Sequence, residues 1–371
     1  MEPTDQPEAM SLRDMCKRYG VTFKKALGQN LLLDDNINRI MIDAAALEKD
    51  DYVLEVGSGL GALTRRIAPK AGKLLTVEID ASFMPCLEDQ FGTMDNVHIF
   101  RGDILNHPVE KLVNEFIPKG KSHKFLSNLP YYITTKILFH ILESPLYFSR
   151  LVVMMQDEVG QRLVAPVGAE NYGILSVAAL CYANVDIVHR VPASCFVPRP
   201  KVDSCVVRFR CDQKETMPRD EKLFLMKVVR SAFGQRRKTL RNSLTRSGTF
   251  GAPKEAVLDA LDAAKIDPGR RPQTLGLEEF GLLAEEILFA APGEDRILFG
   301  GTGAREYQGV LAAAFGARAE FIPEASSAPW AVDIARQAQG QLSAGDTPSI
   351  HTMEPRYIRP SEAELGIQAA R

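Results

Sequence analysis

What this 371-residue chain lacks narrows its class. Its six cysteines, Cys16, Cys86, Cys181, Cys195, Cys205 and Cys211, include no C-x-x-C pair. That spacing predicts neither a zinc ribbon nor a disulfide framework, and the thiols read as reduced residues of a cytoplasmic protein. The six histidines show no ligand spacing, so no metal is expected. No apolar run approaches the roughly 18 residues that span a bilayer, and the polar opening MEPTDQPEAM lacks the pattern of a secretory signal, so no membrane partner is expected. An excess of one charge is also missing, with a net of only −2.

The charge that is present is unevenly placed. Residues 227–246 hold Lys227, Arg230, Arg236, Arg237, Lys238, Arg241 and Arg246 with no acid among them, whereas 292–371 carry ten acids against seven arginines and no lysine. A basic run is often a solvated helix face. Seven cations without an acidic partner over about five helical turns favour a phosphate-binding surface, with Arg236, Arg237, Lys238 and Arg241 at its centre.

From residue 52 short apolar runs alternate with amphipathic stretches, the pattern of an α/β fold with a parallel sheet. Tyr52–Val56 reads as the first strand and runs into Gly57-Ser58-Gly59-Leu60-Gly61, followed by helical character from Ala62 to Ile67. The G-x-G-x-G spacing differs from that of dinucleotide binders, and a tight turn alone would also explain it. Later runs end at Glu78, Asp103 and Asn128. Ligands bind at the carboxyl ends of such strands, where Glu78 could accept bonds from ribose hydroxyls and Asp103 a bond from an adenine amine. Any one of these residues could be an ordinary loop residue. The ordered set describes an adenosine-containing cofactor and points to S-adenosylmethionine.

The last of these strands ends in Asn128-Leu129-Pro130-Tyr131. An aromatic amine is a weak nucleophile because its lone pair is delocalised. Acceptors that draw its N–H bonds out of plane localise that pair. The Asn128 oxygen and the Leu129 carbonyl can serve, with Pro130 fixing the backbone and Tyr131 offering a ring face to a base. The plainer alternative is a turn after a strand.

Seven segments together resemble the small-subunit ribosomal RNA adenine-N6,N6-dimethyltransferases. They are KKALGQNLLLD (24–34), LEVGSGLGALT (54–64), VEID (77–80), GDIL (102–105), NLPYYITTKIL (128–138), FVPRPKVDSCVV (196–207) and AFGQRRKTLRNSL (232–244). The resemblance implies that Gln29, Asn30 and Leu32 line the methionine end of the cofactor and that Gly57 approaches it through its backbone. It further implies that Glu78 holds the ribose, Asp103 the adenine, and Asn128 both the cofactor edge and the target amine. Tyr131 would stack on the target adenine, with Phe196 on its other face. Leu31 stands where the family usually has an aromatic, and Ser58 where many relatives have proline. The implied reaction is dimethylation of adjacent adenosines in the terminal hairpin of the small-subunit RNA, with a role in subunit biogenesis. Alternatives are a non-catalytic RNA-binding assembly factor and a bifunctional fusion.

Four regions are expected: an N-terminal extension (1–22), a Rossmann-like methyltransferase domain (23–213), a helical RNA-binding domain (214–290) and an extra α/β segment (291–371). Helices are expected at Lys222–Phe233, Lys238–Leu244, Lys254–Ala264 and Leu277–Leu288. The tail pattern predicts a strand at Arg296–Phe299, a turn at Gly300–Gly303 and helices at 306–315 and 329–342. Its PRYIRPSEAE ending resembles the C-terminal part of the non-catalytic partner protein in bacterial tRNA threonylcarbamoyladenosine synthesis. That likeness implies a fused remnant or a module that docks a protein partner.

Overall fold

The computed structural model describes residues 12–21, 24, 28–116, 122–211, 217–235, 237–245, 250, 252–290, 297–299, 308–309 and 319–321. The chain divides into two compact units, Met1–Ala291 and Pro292–Arg371.

In the first unit α1 (Leu12–Arg18) precedes β1 (Leu31–Leu32) and α2 (Asp35–Ala45). An alternation follows: β2 (Tyr52–Val56), α3 (Thr64–Ile67), β3 (Lys73–Glu78), α4 (Met84–Phe91), β4 (Val97–Arg101), α5 (Val109–Phe116), β5 (His123–Asn128), α6 (Thr134–Leu142) and β6 (Phe148–Gln156). Then come α7 (Asp157–Leu163), α8 (Ile174–Tyr182), β7 (Asn184–Val191), β8 (Phe196–Val197) and β9 (Ser204–Arg210). The helices α9 (Arg219–Phe233), α10 (Leu240–Leu244), α11 (Lys254–Ala263) and α12 (Leu277–Ala290) complete it.

Seven strands form one sheet in the order β4-β3-β2-β5-β6-β9-β7. The first five are mutually parallel, and β9 runs antiparallel to both β6 and β7. This Rossmann-like sheet confirms the expected fold class; the antiparallel edge was not expected from the sequence. Leu151–Met155 of β6 are all fully buried, as a strand covered on both faces requires. The chain leaves β2 in one direction through β3 and β4, then returns to β5 on the other side. The crevice for a ligand therefore lies at the carboxyl ends of β2 and β5.

One apolar layer joins α2 and α4 to the sheet and takes in Met15 and Val21, so residues expected to form an extension belong to the core. A second layer, with Leu112, Ile137 and Ile141, covers the opposite face. The third gathers the late helices, but Tyr172, Val177, Cys181 and Tyr182 pack into it as well. The Tyr172 hydroxyl donates to the Leu275 carbonyl at 2.9 Å. A boundary at 214 thus runs through a shared core.

In the second unit β10 (Ile297–Phe299) and β11 (Ala319–Phe321) pair in parallel. The strand expected at 296–299 corresponds to β10, and residues 308–309 are helical. The Gly300–Gly303 turn, the rest of 306–315, and 329–342 lie outside the described residues. Among the described residues no helix is long and apolar enough to cross a membrane.

One buried ion pair locks the opposite end of the sheet. Lys124 Nζ lies 2.6 Å from Asp51 and donates to the Ala46 carbonyl at 2.6 Å, with both side chains about nine-tenths buried. Removing the cation strands a buried carboxylate. Lys124→Met should lower the unfolding free energy by about 3–5 kcal/mol in denaturant titration, and adding Asp51→Asn should restore part of it.

Candidate active site

An open cleft of about 1060 Å³ lies at the predicted crevice. It is lined by Gly28–Leu32, the glycine turn after β2, Glu78 at the end of β3, Gly102 and Asp103 after β4, and Asn128, Leu129 and Pro130 after β5. Of the sequence-expected cofactor residues, Gln29, Asn30, Leu32, Gly57, Glu78, Asp103 and Asn128 all line it.

Gly57 and Gly61 sit at φ 77° and 80°, a region that side-chain-bearing residues rarely enter. A Cβ on Gly61 would also come within 2.5 Å of the Phe91 ring. The Gly57 N–H donates to the Val77 carbonyl at 2.8 Å, binding the turn to β3.

Glu78 is 4% exposed, and burial raises its pKa above the usual carboxylate range. One carboxylate oxygen accepts the Gly59 N–H at 2.8 Å and the other the Asp80 N–H at 2.8 Å. The Ile79 backbone also favours the carboxylate, and the two oxygens together keep lone-pair capacity for a ligand hydroxyl.

Asp80 extends this chain of contacts. Burial opposes its charge, yet it accepts from Lys24 Nζ at 2.6 Å, from the Ser82 N–H at 3.0 Å, from Gln29 Nε2 at 2.7 Å and from the Ser82 hydroxyl at 2.9 Å. These donors hold its pKa down to about 2. Gln29 Oε1 in turn accepts the Lys24 N–H at 2.8 Å. Gln29 therefore lines the cleft while anchoring the segment before β1. The sequence reading gave Asp80 no role, although the VEID motif contains it.

Asp103 caps the turn after β4, accepting the Leu105 N–H at 3.0 Å through one oxygen. Asn128 makes no side-chain hydrogen bond to another described residue. The Leu129 side chain is buried, its N–H donates to the Met154 carbonyl at 3.2 Å, and its own carbonyl accepts no described backbone hydrogen bond. The Pro130 carbonyl is occupied, accepting from the Ile133 N–H at 3.2 Å and the Thr134 hydroxyl at 2.9 Å. The turn thus presents two acceptors that no described residue engages, and caps α6 with the third.

The aromatic residues fall differently from expectation. Tyr131 is half-buried and hydrogen-bonded through its hydroxyl to Ser204 Oγ, and burial raises its pKa. Tyr132, which the sequence reading passed over, is 54% exposed and lines the cleft, its ring lying 3.0 Å from where a Gly28 Cβ would stand. Phe196 is 2% exposed and packs in the α2-side core, away from the cleft lining. The register explains this: Leu32 pairs with Phe196 and Leu31 with Val197. Side chains alternate along strands, so Leu32 and Phe196 share the core face while Leu31 and Val197 share the other. Leu31 reaches to 3.2 Å from the Cβ position of Gly59.

Glu55, read from sequence only as a strand residue, is 1% exposed and lines the cleft floor. Burial is the main cause of a pKa raised to about 7, offset in part by the hydroxyls of Thr64 at 2.7 Å and Thr76 at 3.0 Å. The folded protein therefore binds this proton more tightly than the unfolded chain, and stability falls as pH rises from about 4.5 towards 7. Glu55→Gln should flatten that fall relative to the wild type in denaturant titrations over the same range; parallel curves would assign the proton elsewhere.

The basic segment spans two helices, as the separate runs Lys222–Phe233 and Lys238–Leu244 imply. Helix α9 stops at Phe233, Gly234 and Gln235 form a turn, and α10 begins at Leu240. Gly234 supplies the break, and the basic segment crosses it. Arg237 and Lys238 are exposed in this connection and Arg241 is exposed on α10, none with an acidic partner among the described residues. The Leu240 and Arg241 N–H groups donate to the Arg270 and Pro268 carbonyls at 2.8 and 3.0 Å, fixing the ridge. Arg236 lies outside the described residues.

These residues fit S-adenosylmethionine. A buried carboxylate with spare lone pairs suits a ribose, the capping Asp103 keeps one oxygen for an adenine amine, and a side-chain-free turn admits close backbone approach. Among the described residues no group of three or more His, Cys, Asp or Glu could hold a metal ion.

A family model described as ribosomal RNA adenine dimethylase matches residues 20–279. The ribosomal RNA small subunit methyltransferase A of Bacillus cereus strain B4264 is 40% identical over 277 residues, covering 74% of this chain and 95% of that one. The crystal structure of a dimethyladenosine transferase from Plasmodium falciparum aligns with a TM-score of 0.56 at 25% identity, over 68% of this chain and 95% of that one. The 23S rRNA methyltransferase ErmE aligns with a TM-score of 0.51 at 26% identity, over 69% and 99%. With the crevice, the acceptor turn and this likeness in agreement, the chain belongs to the ribosomal RNA adenine dimethylase family.

Proposed function

We propose that the chain transfers methyl groups from S-adenosylmethionine to N6 of adjacent adenosines in the terminal hairpin loop of small-subunit (16S) ribosomal RNA, on an immature subunit, as part of subunit biogenesis. The observation that carries this reading is the pair of acceptors, Asn128 Oδ1 and the Leu129 carbonyl, that no described residue engages, beside Gly57 at the switch point of the sheet. The Asn128 carbonyl and the Pro130 ring both lie 3.7 Å from the Gly57 Cβ position, so the acceptor turn and the cofactor turn are in contact. A ribosomal substrate sets the place of action as the cytoplasm.

The cofactor supplies an electrophilic methyl group. The chain's own residues do the rest by positioning. Glu78 and Asp103 orient the adenosine half, and Gln29, Asn30 and Leu32 border the other end. Asn128 and Leu129 accept the two N–H bonds of the target amine, which localises the nitrogen lone pair. The base must leave its stack to reach the turn, with Tyr131 and Tyr132 offering ring faces. Phe196 would have to move out of the core to contact it. No general base is required at the attack, because the methylated amine is acidic enough to lose a proton to water. Arg237, Lys238 and Arg241, with Arg236, would hold phosphates of the structured RNA.

The tail is not covered by the family match, which ends at residue 279. A protein partner for it rests on the sequence resemblance alone.

Labelled S-adenosylmethionine and small subunits lacking the modification provide the test. Wild type should yield N6,N6-dimethyladenosine in the subunit RNA, and Asn128→Ala should lower transfer at least 100-fold with an unchanged unfolding curve. Near-normal turnover by that variant would refute the assignment. In parallel, Arg237→Glu with Arg241→Glu should lose RNA affinity and its salt dependence while keeping cofactor affinity; equal loss of both would make the ridge structural.

A further inference from the structure

Next to Leu31 of the cleft lining, and paired with it through Val197, lies a second feature that takes no part in that lining. Leu33 continues the β1–β8 ladder, its N–H donating to the Cys195 carbonyl at 2.8 Å. By alternation Leu31, Leu33 and Val197 share one face of this ladder; Leu31 is half-buried, packing against the core edge and lining the cleft, whereas Leu33 and Val197 are exposed. Leu33 is 47% exposed, Val197 40% and Val202 47%. Between the two valines the loop presents Arg199 and Lys201, both exposed and neither with an acidic partner among the described residues. The nearby acids are engaged elsewhere. Asp203 accepts the Ala193 N–H at 2.8 Å, and Asp157 faces Arg190 at 3.6 Å. The loop is held at both ends, by the β1–β8 ladder and by the Asp157 N–H, which donates to the Asp203 carbonyl at 3.0 Å. Directly after it, Ser204 bonds Tyr131 of the acceptor turn.

Exposed apolar side chains interleaved with cations, joined to the cleft lining through Leu31 and to the acceptor turn through Ser204, suit an unpaired nucleotide. Apolar groups can rest against an unstacked base while cations take the flanking phosphates. We propose that loop 197–203 and Leu33 form a second nucleotide subsite, which holds the nucleotide adjoining the one in the cleft. Arg199 and Lys201 grip its phosphates, and Val197 and Val202 support its base. This inference rests on the RNA-methylating reading above and deepens it. When one of two adjacent adenosines occupies the cleft, the other has a place beside it, so the RNA can shift by one nucleotide without leaving the ridge at Arg237–Arg241.

The test uses the full chain and a hairpin RNA whose loop contains two adjacent adenosines, alongside the same hairpin made abasic at either one. Arg199→Glu with Lys201→Glu should weaken hairpin binding roughly tenfold and make the log–log salt slope shallower by about 1.4, the value for two single-strand phosphate contacts. Its cofactor affinity should stay at the wild-type level, which also reports that the variant is folded. Removing one base should weaken binding to wild type several-fold, and Val197→Ser with Val202→Ser should abolish that difference. Wild-type hairpin affinity and salt slope in the charge-reversed variant would overturn the proposal, as would an unchanged abasic penalty in the serine variant. Methyl transfer by wild type to unmodified small subunits tests the underlying reading separately, so either can fail alone.

Discussion

The cleft depends on one buried carboxylate. Glu78 joins the glycine turn after β2 to the end of its own strand by accepting the Gly59 and Asp80 N–H groups. Asp80, set in place by that bond, gathers Lys24 and Gln29 and so fastens the segment leading into β1. Strand β1 then pairs with β8, which leads into the loop before β9. Three stretches distant in sequence are ordered by successive bonds that begin at a single side chain. A carboxylate hidden from water is unfavourable as an ion, and burial raises its pKa. Backbone donors hold it in place while leaving lone-pair capacity for a ligand. Glu78 thus serves both architecture and binding, and replacing it would disturb the turn as well as any hydroxyl it contacts.

Much of this was legible in the chain because strands read from the first apolar run end where chemistry is needed. Gly57, Glu78, Asp103 and Asn128 share one rim since β2, β3, β4 and β5 are parallel and adjacent. Residue identity and strand order suffice for that deduction. Where the Phe196 ring points is a matter of parity. Its motif places it near the site, but only the pairing of Leu32 with Phe196 reveals that the ring faces the core. The adjacent tyrosines pose the same difficulty, because the bond from Tyr131 to Ser204 on β9 leaves Tyr132 at the cleft. Contacts between residues more than 70 positions apart leave no periodic trace in the sequence.

The basic segment teaches a different lesson. Charge composition identified the cations, and helical periodicity placed a break between Phe233 and Lys238, but neither shows what holds the connection. Gly234 ends α9, and backbone bonds to Pro268 and Arg270 hold the next turn. A bent connection spreads Arg237, Lys238 and Arg241 across a ridge, a shape better suited to a folded RNA than a straight row. Glu55 shows the limit from the other side. An acid inside an apolar strand is visible in the sequence, but the hydroxyls of Thr64 and Thr76 that make its burial tolerable become apparent only in the packing.

The shared core of the late helices bears on how such a protein could be modified. Tyr172, Val177, Cys181 and Tyr182 insert into the helical layer, so the stretch between β6 and β7 already belongs to it. Cutting the chain at residue 214 would leave an oily face on each piece. A graft that brings a foreign helical layer must also bring a matching α8 and its preceding loop. A change in the surface of the late helices is therefore easier to accommodate than their exchange as a module, since they fold as one body with the layers before them.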